Sequence, residues 1–173
     1  MEDKLSVKPV AIKYGLILAV ASFAYSFVLN VTNKTDDQLF ATINYLIFIL
    51  VFVFAFREFR TSNEGFMKYS EGLKLGTLTG LIAGFGSGLL TYLYMIFIDD
   101  SVIQVILNAL RDQYARNPQF TEEMVEQVMA MMTKFITPLT LFIAGTLGNV
   151  FFGFLISLII AAIMKKEKPE YEV

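Results

Sequence analysis

Histidine, cysteine and tryptophan are all missing from this 173-residue chain. Without histidine and cysteine, the common ligand sets for zinc, iron–sulfur clusters and haem are excluded. Ser-His-Asp and Cys-His pairs for nucleophilic catalysis are excluded with them. No disulfide can form, so cysteine usage says nothing about the redox compartment. Only carboxylates remain for a magnesium or calcium ion. Charge is also sparse: Asp, Glu, Lys and Arg make up 17% of the chain, and the net charge is −2. There is no dense basic patch, so nucleic acid is not an expected partner. No residue set names a reaction, a cofactor or a ligand.

Hydrophobic residues are abundant, at 55% of the chain, and the mean hydropathy is +0.59. A helix needs about 20 apolar residues to cross about 30 Å of hydrocarbon. Four uncharged runs reach that length: about Tyr14 to Val31, Leu39 to Phe56, Leu75 to Ile98 and Ile136 to Met164. The last two exceed the minimum and are expected to tilt or to extend beyond the hydrocarbon. The expected fold is all-α, a single polytopic membrane domain over residues 1–173. The first run follows Lys4, Lys8 and Lys13 and contains a signal-like Ala19-x-Ala21 site. Its apolar stretch continues to Val31, so a retained span is expected rather than a cleaved signal.

Lysines and arginines near the span ends set the expected orientation. One side carries Lys4, Lys8, Lys13, Arg57, Arg60, Lys68, Lys74, Lys165, Lys166 and Lys168. The other carries Lys34, Arg111, Arg116 and Lys134. The richer side is expected to be cytoplasmic and holds both termini. The long outer connection is not expected to be a loop. Val102, Ile103, Val105, Ile106, Ala109, Leu110 and Tyr114 recur at helical spacing. Asn117-Pro118 breaks the pattern. Thr121 suits a helix cap and Glu122 and Glu123 suit the positive end that follows. Met124, Val125, Val128, Met129, Met131, Met132 and Phe135 line one side of the second segment. An external amphipathic hairpin is therefore expected, with helices at about 101–116 and 121–135.

Leading into the third run and along it, Gly72, Gly76, Gly80, Gly84 and Gly88 stand four residues apart. In lipid, helices associate through close packing, and small residues let backbones approach. Steps of four drift by about 40°, so the row turns through roughly 160° from first to last. It suits a right-handed crossing near −40°, or successive contacts with more than one helix. The fourth run carries a matching row: Gly145, Asn149, Gly153, Ser157 and Ala161. These ten residues are the expected helix-packing positions. Antiparallel spans of matched depth put Gly80 near Gly153, and Gly88 near Gly145 or Asn149. The first run adds Gly15, Ala19, Ser22 and Ser26, whereas the second is bulky throughout. The first, third and fourth spans are expected to form a tight core, with the second facing lipid.

The chain resembles a family of bacterial four-span membrane proteins known as domain of unknown function 4199. The residues that carry the resemblance are Lys13-Tyr14-Gly15, the Tyr69-to-Gly76 start of the third span and its Tyr92-to-Asp99 exit. The methionine-rich outer helix ending Phe135-Ile136-Thr137-Pro138 and the Ile156-to-Ile163 stretch complete the set. The resemblance covers nearly the whole chain and implies a bacterial inner membrane. It brings no catalytic residues, because the family has no assigned activity.

Several motifs admit two interpretations. The glycine row fits packing better than a pore lining. Asn149, near mid-membrane, is expected to bond a neighbouring helix rather than a ligand; Asn44 lies nearer the outside. Ser87, Thr77, Thr79, Thr91, Thr140 and Thr146 can bond their own helix backbone. Asp99, Asp100, Glu122, Glu123 and Glu126 lack the spacing of a calcium loop and suit a solvated face. Asn30-Val-Thr32 and Asn33-Lys-Thr35 match a glycosylation pattern of little weight in a bacterium. The methionine stripe suits contact with headgroups or span ends, or an adaptable partner surface. The expected function is therefore non-enzymatic. It is a small scaffold or partner-binding protein in the lipid bilayer, associating with itself or with another membrane protein through glycine-rich helix faces. The alternative is an oligomeric channel or transporter subunit for ions or small solutes. An intramembrane enzyme would need a nucleophile or an acid–base pair at depth, and the spans offer none.

Overall fold

A computed structural model describes residues 6–32, 34, 38–99 and 101–167, with Gln38 and Ala41 described for their backbone alone. Lys4, Lys168, Asn33, Thr35 and Asp100, used above, lie outside the described residues. The described chain folds into six helices: α1 (Lys8–Val31), α2 (Gln38–Ser62), α3 (Tyr69–Phe97), α4 (Ser101–Ala115), α5 (Glu122–Phe135) and α6 (Pro138–Met164). Helices α1, α3 and α6, and the Thr42–Ser62 part of α2, are long and apolar enough to cross a membrane. The protein is all-α and polytopic. Among the described residues the β structure is one antiparallel bridge, Met67 to Lys166.

The helix ends follow local chemistry. Pro9 and Pro138 occupy first-turn positions, where a missing N–H goes unnoticed. Thr137 caps α6, and its hydroxyl accepts from the Thr140 N–H at 3.2 Å. Thr121 caps α5, its hydroxyl accepting from the Met124 N–H at 3.3 Å. At the start of α3, the Lys68 N–H donates to the Glu71 carboxylate at 2.8 Å. The turn from α2 to α3 passes through Glu64 (φ 55°) and Gly65 (φ 84°). Both sit in the left-handed region, which glycine occupies without strain. Met67 and Lys166 then exchange two backbone hydrogen bonds, of 2.8 and 2.9 Å. This clamp ties the end of α6 to the α2–α3 turn and defines the basic end of the bundle.

Helix α3 is the centre of the bundle, flanked by α6 on one face and α1 on another. Helix α2 touches α1, α3 and α6. The expectation that α2 faces lipid is corrected for its half at the basic end. Phe52, Ala55, Phe56 and Phe59 are fully buried there. The reason is geometric. Glycine contacts draw α3 and α6 so close that a groove opens beside them, and aromatic rings fill it. Phe56 lies 3.1 Å from where a Cβ on Gly72 would sit, and Phe52 lies 3.3 Å from that of Gly153. The opposite face of α2, with Leu46, Leu50 and Phe54, is exposed as expected of a lipid-facing surface.

Candidate functional site

Each small-residue row changes role at one depth. Towards the basic end the rows are packing surfaces. A Cβ on Gly72 would meet the Ala161 Cβ at 2.6 Å, and one on Gly76 would collide with the Ser157 Cβ. Gly80 faces backbone: its Cβ would lie 2.6 Å from the Asn149 carbonyl oxygen and 3.2 Å from the Gly153 Cα. Gly84 faces the Thr146 carbonyl and the Asn149 Cβ. On the other side of α3, Gly15 of α1 meets Ile82, and Gly86 meets the Ala19 Cβ.

Past this depth the helices separate. A Cβ on Gly145 would meet nothing within 4 Å, so this position is not in the α3–α6 contact. Gly88 meets the Phe142 ring at 3.0 Å and the Thr146 hydroxyl at 3.4 Å, not Gly145 or Asn149. The reason is the α6 sequence: the Phe142 ring stands between the helices at Gly88, where no small residue of α6 faces α3. Asn149 does not bond a neighbouring helix. Its amide donates to the Gly145 carbonyl one turn back in α6, at 2.9 Å. Thr146 makes the bond across instead, donating both to the Phe142 carbonyl (2.8 Å) and to the Gly84 carbonyl (3.3 Å).

The separation leaves a cavity of about 260 Å³ between α1, α2, α3 and α6. Its polar wall is Ser22, Ser26, Asn44, Ser87, Thr91 and Asn149. At 1.5 Å per residue, Ser22, Ser87 and Asn149 lie about 14–17 Å from the hairpin ends of their helices, about half of a hydrocarbon thickness. Phe23, Phe48, Met95 and Phe142 form an apolar wall, and Val102 and Ile106 of α4 lie over it. Among the described residues no charged side chain lines it. Thr91 donates to the Ser87 carbonyl at 2.9 Å. The side chains of Ser22, Ser26 and Asn44 make no hydrogen bond within the described residues, and none of their polar atoms is shut off from the surroundings. Sequence reasoning placed Ser22 and Ser26 in a packing row. What could have shown otherwise is that α1 turns from Gly15 and Ala19 to Ser22 and Ser26 at the depth where α3 brings Ser87 and Thr91.

Helices α4 and α5 form a hairpin with a small core of its own: Leu107, Val125 and Met129, with Tyr114 packed on Phe120. Arg111 pairs with Glu126 at 2.8 Å, both well exposed, an interaction worth about 0–1 kcal/mol. Asp99 caps α4, accepting from the Ser101 N–H (2.8 Å) and hydroxyl (2.6 Å). Those bonds favour the charged form and hold the Asp99 carboxyl below its ordinary value of 3.8. A depressed carboxylate stabilises fully above its unfolded value and loses that contribution as pH falls through the lower folded one. Protection of the amides in the first turn of α4, measured against their intrinsic exchange rates at each pH, should therefore fall on acidification below about pH 4. Asp99→Asn should remove most of that pH dependence; an unchanged acid response in the variant would refute the assignment.

At the basic end a second cluster escaped sequence reasoning. Glu58 of α2 accepts from the Lys13 ammonium (2.6 Å) and the Tyr14 hydroxyl (2.8 Å) of α1. The sequence shows the three charges or hydroxyls but not their convergence, because 44 residues separate Tyr14 from Glu58.

A family model described as "Protein of unknown function (DUF4199)" matches residues 13–166. The chain belongs to this family. The DUF4199 match begins at Lys13, which pairs with Glu58, and ends at Lys166, which pairs with Met67. It thus covers α2 to α6 in full and α1 from Lys13 onwards. No curated protein and no solved structure matches the chain.

Proposed function

We propose that this DUF4199 protein is a non-enzymatic scaffold of a bacterial inner membrane, with both termini cytoplasmic, whose external hairpin binds a partner. The observation that carries the proposal is the hairpin itself. It holds its own core, and Met124, Met131 and Phe135 remain 44, 48 and 63% exposed on α5. Flexible methionines suit a surface that adapts to a partner. The row from Gly72 to Gly84 is filled by α6 and the Gly153–Ala161 row by α3. A second copy therefore has no access to those faces, and any association is expected through the hairpin. The channel or transporter alternative needs a path through the basic half, where Phe52, Phe56, Phe59, Met67 and Leu75 are fully buried. That closed floor favours binding over passage.

A photocrosslinking residue at Met131, with one at Leu50 for comparison, tests the proposal in native membranes. Discrete protein adducts at Met131 and lipid adducts at Leu50 are expected. Lipid adducts alone at both positions would make the hairpin a headgroup-binding element and overturn the partner assignment.

A further inference from the structure

We infer that the cavity on the hairpin side is a binding site for a small, uncharged solute that carries hydroxyl or amide groups and an apolar part. The inference is independent of what the hairpin binds. Ser22, Ser26 and Asn44, from two helices, bring hydrogen-bonding groups without protein partners to one space. A polar group left unpaired in an apolar medium is destabilising, and at the depth of Ser22 acyl chains offer it nothing; Ser26 and Asn44 extend the polar lining towards the hairpin ends of their helices. These side chains favour an occupant that can hydrogen-bond. With no charge on the described lining, an ionic solute would enter uncompensated, which disfavours it.

The apolar part of the lining decides what kind of neutral molecule fits. Phe23, Phe48, Phe142 and Met95 present apolar surface among the polar groups. Water alone would leave that surface wetted, whereas an amphiphilic solute satisfies both kinds of lining. The cavity, at about 260 Å³, falls just below the range of about 300–1,000 Å³ that holds drug-sized ligands, so the solute is smaller than those. Val102 and Ile106, one turn apart on α4, also line the space.

The cysteine-free chain permits a direct test on full-length protein in liposomes. Ser22→Cys and Gly145→Cys place a thiol in the cavity, and Gly145 has free room for one. Leu50→Cys places one on the exposed outer face of α2. A water-soluble, membrane-impermeant thiol reagent is expected to label the two cavity sites and not Leu50→Cys. Adding 1,2-butanediol, glycerol or N-methylacetamide should slow cavity labelling by the factor 1 + [L]/Kd, about tenfold at nine times Kd for the best of them. Butyrate at equal concentration should have no effect. Asn44→Leu in the Gly145→Cys background should keep the labelling and lose the protection. Labelling of the cavity sites no faster than Leu50→Cys would show a space filled by lipid and overturn the inference. Labelling that none of the three neutral solutes slows, or that butyrate slows equally, would show a hydrated space only and overturn it as well. The crosslinking at Met131 reads another element, so the two proposals can fail separately.

Discussion

Replacing Gly80 with alanine should destabilise the protein by about 1–3 kcal/mol, the range for inserting atoms into a packed core. The same change at Gly145 should be neutral or stabilising by up to about 1 kcal/mol, the helix-propensity gain of alanine over glycine. The two residues look alike in sequence, each a member of a four-residue row of small side chains. They differ in what a methyl group would meet. At Gly80 it would lie 2.6 Å from the Asn149 carbonyl oxygen and 3.2 Å from the Gly153 Cα. Both are backbone atoms, which cannot rotate away, so α3 and α6 must move apart. Their separation would also loosen Gly76 on Ser157 and Gly84 on Thr146, because all four glycine contacts from Gly72 to Gly84 share one pair of rigid helices. At Gly145 the methyl enters the cavity and meets nothing within 4 Å. Reversible unfolding in mixed detergent and lipid measures both variants. Equal effects at the two positions would refute the proposed division of the rows into packing and cavity-lining halves.

Phe56→Ala should destabilise by about 2–3 kcal/mol. In a soluble core the loss for such a change is about 3–5 kcal/mol, the sum of a transfer part and a cavity part. Lipid is as apolar as the protein interior, so the transfer part largely vanishes. What remains is a void on the order of 100 Å³ at about 24 cal/mol per Å³. Phe56 is fully buried beside Gly72, and its neighbours Phe52 and Phe59 are buried with it. Phe54, on the same helix, is exposed, and Phe54→Ala should change stability by no more than about 0.5 kcal/mol. The same unfolding measurement compares them. If Phe54→Ala proves as damaging as Phe56→Ala, then α2 does not seal the basic half of the bundle in the way described.

The aromatic stripe of α2 was readable in principle. Phe52, Ala55, Phe56 and Phe59 fall at helical spacing and include the one alanine of that stretch. It stayed hidden because the residues between them, Val53 and Phe54 among them, are just as bulky. In a membrane helix apolarity is required on the lipid side too, so it cannot mark the inner face. Smallness can, and the glycine row of α3 was visible for that reason. Asn149 shows the limit of such reasoning. Its depth follows from counting residues, but the choice between its own helix and the next does not: its backbone and Cβ pack against Gly80 and Gly84 while its amide turns back to the Gly145 carbonyl.

The amino-acid sequence by itself determined the class of the protein: helices long and apolar enough to span a membrane, a hairpin between the third and fourth, and no histidine or cysteine chemistry. These follow from composition and periodicity, which act locally along the chain. The tertiary structure alone decided which small residues touch and which face a space, that α2 closes the basic half, and that Lys13, Tyr14 and Glu58 meet. Those outcomes depend on distances between helices, and such distances are set jointly by side chains far apart in the chain.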